Sequence, residues 1–335
     1  MKLLVTGGAG FIGSNFIRYI LRKHSDWKVG NLDKLTYAGN LDNLRDIENN
    51  SRYHFIKGDL NDRELVNKLL SQGFDVVVNF AAESHVDRSI LDSSPFIKTN
   101  VEGVQVLLEG ARKHGVKLFL QISTDEGYGS LGATGNFTEE SPLLPSSPYA
   151  ASKAAADCLC WAYHHTYGLP VIITRSSNNY GPFQFPEKLI PLAITNALEN
   201  KPIPIYGDGL NSRDWLDVED HCSALNLVIQ RGKAGEIYNI GGKNEKTNLE
   251  VVHHILDIIG KPHALITFVT ERPGHDYRYA LGTDKIETRL GWKPTVVFKN
   301  GLRKTVEWYM GNESWWRRIK SGEYAKYYGE MYSQR

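Results

Sequence analysis

The stretch Lys2-Leu3-Leu4-Val5-Thr6-Gly7-Gly8-Ala9-Gly10-Phe11-Ile12-Gly13 decides the fold. Lys2 to Thr6 is a short apolar strand that breaks directly into glycines, and Ile12, Phe16, Ile17, Ile20 and Leu21 then recur at helical spacing. Strand, glycine turn and helix in immediate succession are the context in which such glycines hold a dinucleotide. Gly7 permits the tight turn, Gly10 lets the backbone approach a pyrophosphate at the helix N-terminus, and Gly13 allows the helix to pack on the strand. The competing reading is a loop that merely turns. Val29 to Leu32 argues against it, since this second strand ends at Asp33, twenty residues after Gly13, where a carboxylate accepts ribose hydroxyls. That acid would repel a 2'-phosphate, so NAD is favoured over NADP.

Further strands follow the same logic. Tyr53 to Ile56 leads to Gly58-Asp59-Leu60, with Asp59 placed to meet an adenine edge, and Phe74 to Phe80 ends in Ala81-Ala82, small enough to lie against a cofactor. Leu118 to Ile122 and Pro170 to Thr174 add two more. Strands alternating with helical segments predict an α/β fold with a Rossmann-type, doubly wound parallel sheet. Beyond Arg175 the texture changes to loops rich in Asn, Pro and Gly, which predicts a smaller, mixed α/β lobe. The expected division is 1–176 for cofactor binding and 177–335 mainly for substrate, with a return to the large lobe at 218–240. The aromatic tail, Trp308-Tyr309 and Trp315-Trp316, carries too much apolar area to be a loose end and should dock on the fold.

The chain of 335 residues carries 39 basic and 38 acidic side chains, so no overall field draws it to nucleic acid or membrane. No signal peptide or bilayer-spanning run is read, and the expected location is the cytoplasm. Cys158, Cys160 and Cys222 lack the spacing of a zinc site, no metal is expected, and the three are read as small buried residues.

The chemistry concentrates between Ser123 and Lys153. Thr124, Asp125 and Glu126 emerge at a strand's carboxyl end, the edge where ligands bind in an open parallel sheet. Tyr149 and Lys153 stand four apart in an alanine-rich helical segment and so share a face. An ammonium beside a phenol favours the phenolate, which makes Tyr149 a base closer to neutral pH. Adjacent acids are commonly a capped, solvated loop; beside Tyr149 they read as an acid and base pair. His85 could be a packing residue, and Arg213 and Arg278 surface charges, but a nucleotide diphosphate needs planar cationic donors.

With these residues assembled, the sequence resembles the extended short-chain dehydrogenase/reductase family, in its dTDP-glucose 4,6-dehydratase branch. The resemblance covers nearly the whole chain and includes Asn79 to Ser89, Thr124-Asp125-Glu126, Tyr149-x-x-x-Lys153, Asn178 to Pro182, Ser212 to Trp215 and Arg272 to Asp276. It implies oxidation at C4 of a nucleotide-linked glucose, elimination of water across C5 and C6, and return of the hydride to C6. It implies Tyr149 as the base for the hydroxyl, assisted by Thr124 and Lys153, with Glu126 as base at C5 and Asp125 as acid at C6. For NAD it adds Phe11, Ile12, Lys34, Leu35, Thr36, Leu60, Ser84, Thr99 and Asn179 to the residues above. For the nucleotide sugar it implies Ser84, His85, Asn178, Lys188, Arg213, Asn248 and the run His275, Asp276, Tyr277, Arg278 and Tyr279. It also implies a homodimer that pairs the helices Pro95 to Lys113 and Tyr149 to Thr166 in a four-helix contact, although an apolar stripe as wide as Leu159, Trp161 and Tyr163 reads on sequence alone as core. Two positions depart from the family: Gly127 stands where valine is common and Tyr277 where arginine is. The alternatives are a nucleotide-sugar 4-epimerase, a dehydratase for another nucleotide, and a non-catalytic NAD-binding regulator. An epimerase has no task for an acid at C6, and a regulator would not be expected to retain Tyr149, Lys153 and both carboxylates.

Overall fold

The computed structural model describes residues 1–321 and 328–329. The first six strands are β1 (Lys2–Thr6), β2 (Lys28–Asp33), β3 (Tyr53–Lys57), β4 (Val76–Asn79), β5 (Leu118–Thr124) and β6 (Val171–Ser176). There follow β7 (Asn178–Tyr180), β8 (Ile203–Tyr206), β9 (Ser212–Asp217), β10 (Ile237–Ile240), β11 (Glu245–Thr247) and β12 (Ile266–Val269). The main sheet runs β10-β6-β5-β4-β1-β2-β3 with every neighbouring pair parallel. Its winding reverses between β1 and β4, and ligands of such sheets bind outside the strand ends at that switch point.

The near-continuous apolar runs are explained by burial of both faces. Leu3 and Val5 of β1, Val76 and Val78 of β4, and Leu120 and Ile122 of β5 enter one core layer. Leu4, Val77 and Phe119 point the other way into a second layer, as the two-residue period of a strand requires. The first layer is covered by the helices Phe11–Lys23 and Val218–Arg231. The second is covered by Arg63–Leu70, Gly103–Lys113 and Pro148–Tyr167. Thus β10 and the Val218–Arg231 helix, though late in the chain, are built into the large sheet.

The Pro148–Tyr167 helix, which carries Tyr149 and Lys153, has clear local causes. Ser147 caps it by accepting the Ala150 N–H at 3.1 Å, Pro148 occupies its first turn, and Gly168 ends it with φ of 68°. The segment expected as one helix from Pro95 to Lys113 differs in detail. It begins as a short α-turn at Ser94–Phe96, widens to π-helical turns over Ile97–Glu102 and becomes regular only at Gly103. Asn100, on the wide turns, accepts the Glu83 N–H at 2.9 Å and donates to the Ser152 hydroxyl at 2.8 Å, which ties the segment to the Pro148–Tyr167 helix.

The smaller lobe holds the sheet β11-β9-β7 and the pair β12-β8 around its own core of Ile194, Val251, Ile255, Leu302 and Trp316. The aromatic tail docks there. The Trp316 indole donates to the Tyr309 carbonyl, and Trp315 donates to Asn43 Oδ1 at 2.9 Å, joining the tail to the large lobe. The expected end of the lobe at 335 lies outside the described residues. Among the described residues no helix is long and apolar enough to cross a membrane.

Candidate active site

One cavity opens along the carboxyl edge of the main sheet, between β1, β2, β4, β5 and β6 and the loop after β7. Its first wall is the glycine turn. Gly7 has φ of +68°, and a Cβ there would stand 2.6 Å from the Ala81 nitrogen; a Cβ at Gly13 would stand 2.4 Å from the Gly7 carbonyl. The turn is therefore in backbone contact with the Phe80-Ala81 segment that leaves β4. Gly10 caps the Phe11–Lys23 helix without a side-chain bond and no acid lies in its first turn, so the helix presents free N–H groups and the positive end of its dipole to the cavity. Asp33 is buried and held by the Ala9 and Leu35 N–H groups at 2.9 and 2.8 Å. Asp59 is paired with Lys34 at 2.7 Å. A free helix N-terminus beside an anchored carboxylate fits a dinucleotide. Every residue expected to contact NAD lines this cavity except Leu35, which packs against the core.

Thr124, Asp125, Glu126, Tyr149 and Lys153 line the cavity where β5 ends. Thr124 closes the strand, and its hydroxyl accepts the Glu126 N–H at 3.2 Å, starting a tight 3-10 turn over Asp125–Tyr128. That turn aims the neighbouring acids into different surroundings. Burial pushes the Glu126 carboxyl up, while Arg272, Lys188 and Arg213 pull it back. Burial pushes Asp125 well above the carboxylate range, and Glu126 and Asp214 add to the push against Arg213 alone among cations. Asp125 Oδ2 is buried without a hydrogen-bond partner. Both carboxyls are pushed toward the neutral form, Asp125 further because Arg213 is the one cation opposing it and Glu126 less because three cations do, the kind of inequality an acid and base pair uses. Tyr128 pins the turn through a 2.8 Å bond to Asn239 Oδ1. A Cβ at Gly127 would make an ordinary 3.5 Å contact with Leu143, so nothing in the packing requires glycine there.

The expected pairing of Lys153 with Tyr149 takes another form. The Lys153 ammonium donates to the Ile122 carbonyl at 2.6 Å rather than to the phenol. Burial, followed by Glu126, pushes the Tyr149 phenol above its ordinary value; Thr124 opposes this by hydrogen bonding. The Ile122 carbonyl of β5 takes the ammonium, and the carboxylates that share the cavity disfavour the phenolate. To take up a proton Tyr149 must be the phenolate, the form that the Thr124 hydroxyl favours.

Of the residues expected to contact substrate, Ser84, Thr124, Asp125, Glu126, Asn178 and Lys188 line the cavity. Lys188 donates to the Ser84 carbonyl at 2.7 Å, and Asn178 Oδ1 is buried without a partner. His85, Arg213, His275, Asp276 and Tyr279 are not among the residues lining it. Burial and the nearby Lys188, Arg88 and Arg272 push His85 well below the ordinary histidine range. Burial, with Arg272 and Arg213, pushes His275 down to about 4. Arg213 is buried, donates to the Asp276 carbonyl at 2.8 Å and lies over the Tyr279 ring at 4.4 Å. Asp276 accepts the Ser146 hydroxyl at 2.7 Å and also bonds the Tyr279 hydroxyl.

Three expected residues are not brought to the acids. The Tyr277 side chain is 55% exposed. Arg278 is committed to Glu245 at 2.7 and 2.8 Å and to the Gly135 carbonyl at 2.9 Å. Asn248 begins the Asn248–Ile259 helix, its N–H donated to the Asn211 carbonyl. Sequence reasoning also missed several groups. Arg272, quoted above only as part of a motif, faces Glu126, Lys188 and His85 and stands 3.7 Å from Asp87. Glu187 binds Arg88 at 3.1 Å, and the Arg88 guanidinium lies 4.2 Å over the Tyr37 ring, joining the two lobes beside the cavity.

The family described as GDP-mannose 4,6 dehydratase matches residues 4–305. The chain is similar to a dTDP-glucose 4,6-dehydratase of Streptomyces niveus, with 51% identity over 329 residues covering 97% of each chain. Among solved structures it is similar to a dTDP-glucose 4,6-dehydratase of Bacillus anthracis in complex with NAD. That likeness has a TM-score of 0.90 and 53% identity, over 96% of this chain and 100% of that one. A UDP-glucuronic acid 4-epimerase of Bacillus cereus, in complex with UDP-glucuronic acid and NAD, stands further off: 32% identity and a TM-score of 0.88, over 93% of this chain and 99% of that one.

Proposed function

Since the chain belongs to the GDP-mannose 4,6 dehydratase family, we propose that it dehydrates dTDP-glucose to dTDP-4-keto-6-deoxyglucose. The observation that carries this reading is the unlike surroundings of Asp125 and Glu126 beside Tyr149. The glycine turn, Asp33 and the ends of β4 and β5 would hold NAD, which supplies the acceptor and later the donor of the hydride moved from C4 to C6.

Tyr149 takes the proton of the C4 hydroxyl as C4 is oxidised, and the resulting ketone acidifies the proton at C5. Glu126 removes that proton while Asp125 protonates the C6 oxygen, which leaves as water. Glu126 then returns its proton to C5 as C6 is reduced. At the end Tyr149 holds a proton it did not begin with and Asp125 lacks the one it gave. Thr124 spans the two: its hydroxyl donates to Asp125 Oδ1 at 3.3 Å and hydrogen-bonds the phenol. Proton passage through Thr124 resets both groups. Arg213, Arg272 and Lys188 provide the buried positive charge that a diphosphate-linked sugar needs beside Glu126.

The reading includes a homodimer through the helices Gly103–Lys113 and Pro148–Tyr167. It is supported by Trp161 and Tyr167, which remain 48% and 55% exposed on the second helix while Tyr163 joins the core. A monomer by light scattering at micromolar concentration would overturn the dimer. For the reaction, the purified protein is incubated with dTDP-glucose and the product characterised. A 4-keto-6-deoxy sugar supports the proposal, and a 4-epimer or unchanged substrate refutes it.

A further inference from the structure

Beneath the catalytic helix lies a buried ion pair that the steps above leave without a task. Arg175 on β6 donates through Nε to Asp157 Oδ2 at 2.9 Å, with side chains only 4% and 3% exposed. Asp157 lies four residues after Lys153, as Lys153 lies four after Tyr149, so one helix face presents Tyr149, Lys153 and Asp157 in succession. Arg175 reaches this face because it pairs in register with Ser123 of β5, next to Ile122, whose carbonyl receives the Lys153 ammonium at 2.6 Å. Arg175 fixes Oδ2, and Oδ1 makes no close hydrogen bond although the Ser123 hydroxyl faces the same carboxylate.

We infer that Asp157, locked by Arg175, is the positioning residue that keeps Lys153 an oriented ammonium beside the Tyr149 base. This rests on the function proposed above and names how its base is supported. The physical need is plain: an ammonium buried as deeply as Lys153 sheds its proton unless a carboxylate opposes the loss of water. Its own helix turns Asp157 and Cys160 toward it, and burial, the largest influence, works against Asp157. Cys160 is a thiol pushed further up by burial and brings no charge. From β5 comes the Ile122 carbonyl, while the Ser123 hydroxyl and Arg175 of β6, which also lies 4.8 Å over the Tyr128 ring, act on Asp157 itself. Asp157 also faces Tyr149, behind Glu126 and Asp125. A simple packing pair would need no place on the face that carries Tyr149 and Lys153.

The test uses Asp157→Asn, together with Asp157→Asn/Arg175→Gln, because the single change strands a buried guanidinium and can unfold the protein. Thermal unfolding and NAD content establish that the double variant is folded and loaded. The rate of product formation from dTDP-glucose is then followed against pH. The expected result is an alkaline limb of kcat at least about one pH unit lower, hence about tenfold less activity per unit above it, with KM and NAD content retained. Asp157→Glu, which keeps the charge, should keep the limb. A folded double variant with the unmodified protein's limb would overturn the inference and reduce the pair to packing. Absence of product from the unmodified protein would instead refute the function on which it rests.

Discussion

Replacing Gly7 by alanine tests the cofactor cradle, and Gly291→Ala separates its two costs. Both glycines sit near the same left-handed conformation, with φ of +68° and +75°. A Cβ at Gly291 meets nothing within 4 Å, whereas one at Gly7 meets the Ala81 nitrogen at 2.6 Å and Phe80 carbonyl carbon at 2.9 Å. Backbone atoms in the segment directly after β4 cannot swing aside as a side chain can. Gly291→Ala therefore carries only the left-handed penalty, about 1–2 kcal/mol. Gly7→Ala adds overpacking of about 1–3 kcal/mol, for about 2–5 kcal/mol together. At about 2.1 cal/mol/K of unfolding entropy per residue, a chain of this length shifts Tm by about 1.4 °C per kcal/mol. Calorimetry on cofactor-stripped protein, which avoids ligand linkage, should show losses of about 1.5–3 °C for Gly291→Ala and about 3–7 °C for Gly7→Ala. Only the second should also lose bound NAD, since its relaxation moves the turn off β4. Equal Tm losses, with NAD retained in Gly7→Ala, would refute the close-approach argument.

Three other outcomes follow from the same geometry. Thr124→Val should release about one product per site and then slow sharply, because Tyr149 and Asp125 are no longer bridged, while Thr124→Ser should turn over steadily; a Thr124→Val trace without a burst contradicts the reset. Asp33, anchored by two backbone N–H groups, should make NAD bind far more tightly than NADP, and direct titration favouring NADP would remove its assigned role. His221 is buried and pushed down to about 3, below its unfolded value of about 6.5. Its folded form refuses a proton that the unfolded chain accepts, so it subtracts nothing above pH ~6.5 and about 1.4 kcal/mol for each unit of acidification below that, until about pH 3. His221→Gln should flatten the fall of stability between about pH 6 and 4 by that slope in urea titrations, and an unchanged slope would contradict the burial argument.

Legibility in the sequence tracked locality. The glycine turn, the strand ends and the Tyr149 helix were readable because each depends on neighbours within a few residues: the glycines that follow Thr6, the continuous apolar run of β1, the alanine-rich segment after Tyr149. The Asp157–Arg175 pair was not readable, because it exists only once β5 and β6 are aligned so that Ser123 meets Arg175. Lys153 illustrates the limit within a legible element. Helical spacing placed it beside Tyr149, but the choice between phenol and the Ile122 carbonyl is made by β5. Arg278 had the right chemistry for a diphosphate, yet Glu245 on the adjoining β11 claims its guanidinium. The π-helical turns at Ile97–Glu102 respond to Asn100 bonding Glu83 and Ser152, contacts with no local signal.

The division of labour between the two carboxylates is tested most directly by the double variant Asp125→Asn/Glu126→Gln. It keeps shape and hydrogen bonding while removing proton transfer from both positions. With dTDP-glucose, C4 oxidation by Tyr149 should continue and elimination should stall, so reduced-nicotinamide absorbance should accumulate while the 4-keto-6-deoxy product falls by roughly a hundredfold to ten-thousandfold. Tyr149→Phe should abolish that absorbance, because oxidation cannot begin. Formation of the 4-keto-6-deoxy product by the double variant at the unmodified protein's rate would contradict the assignment of the elimination to Asp125 and Glu126.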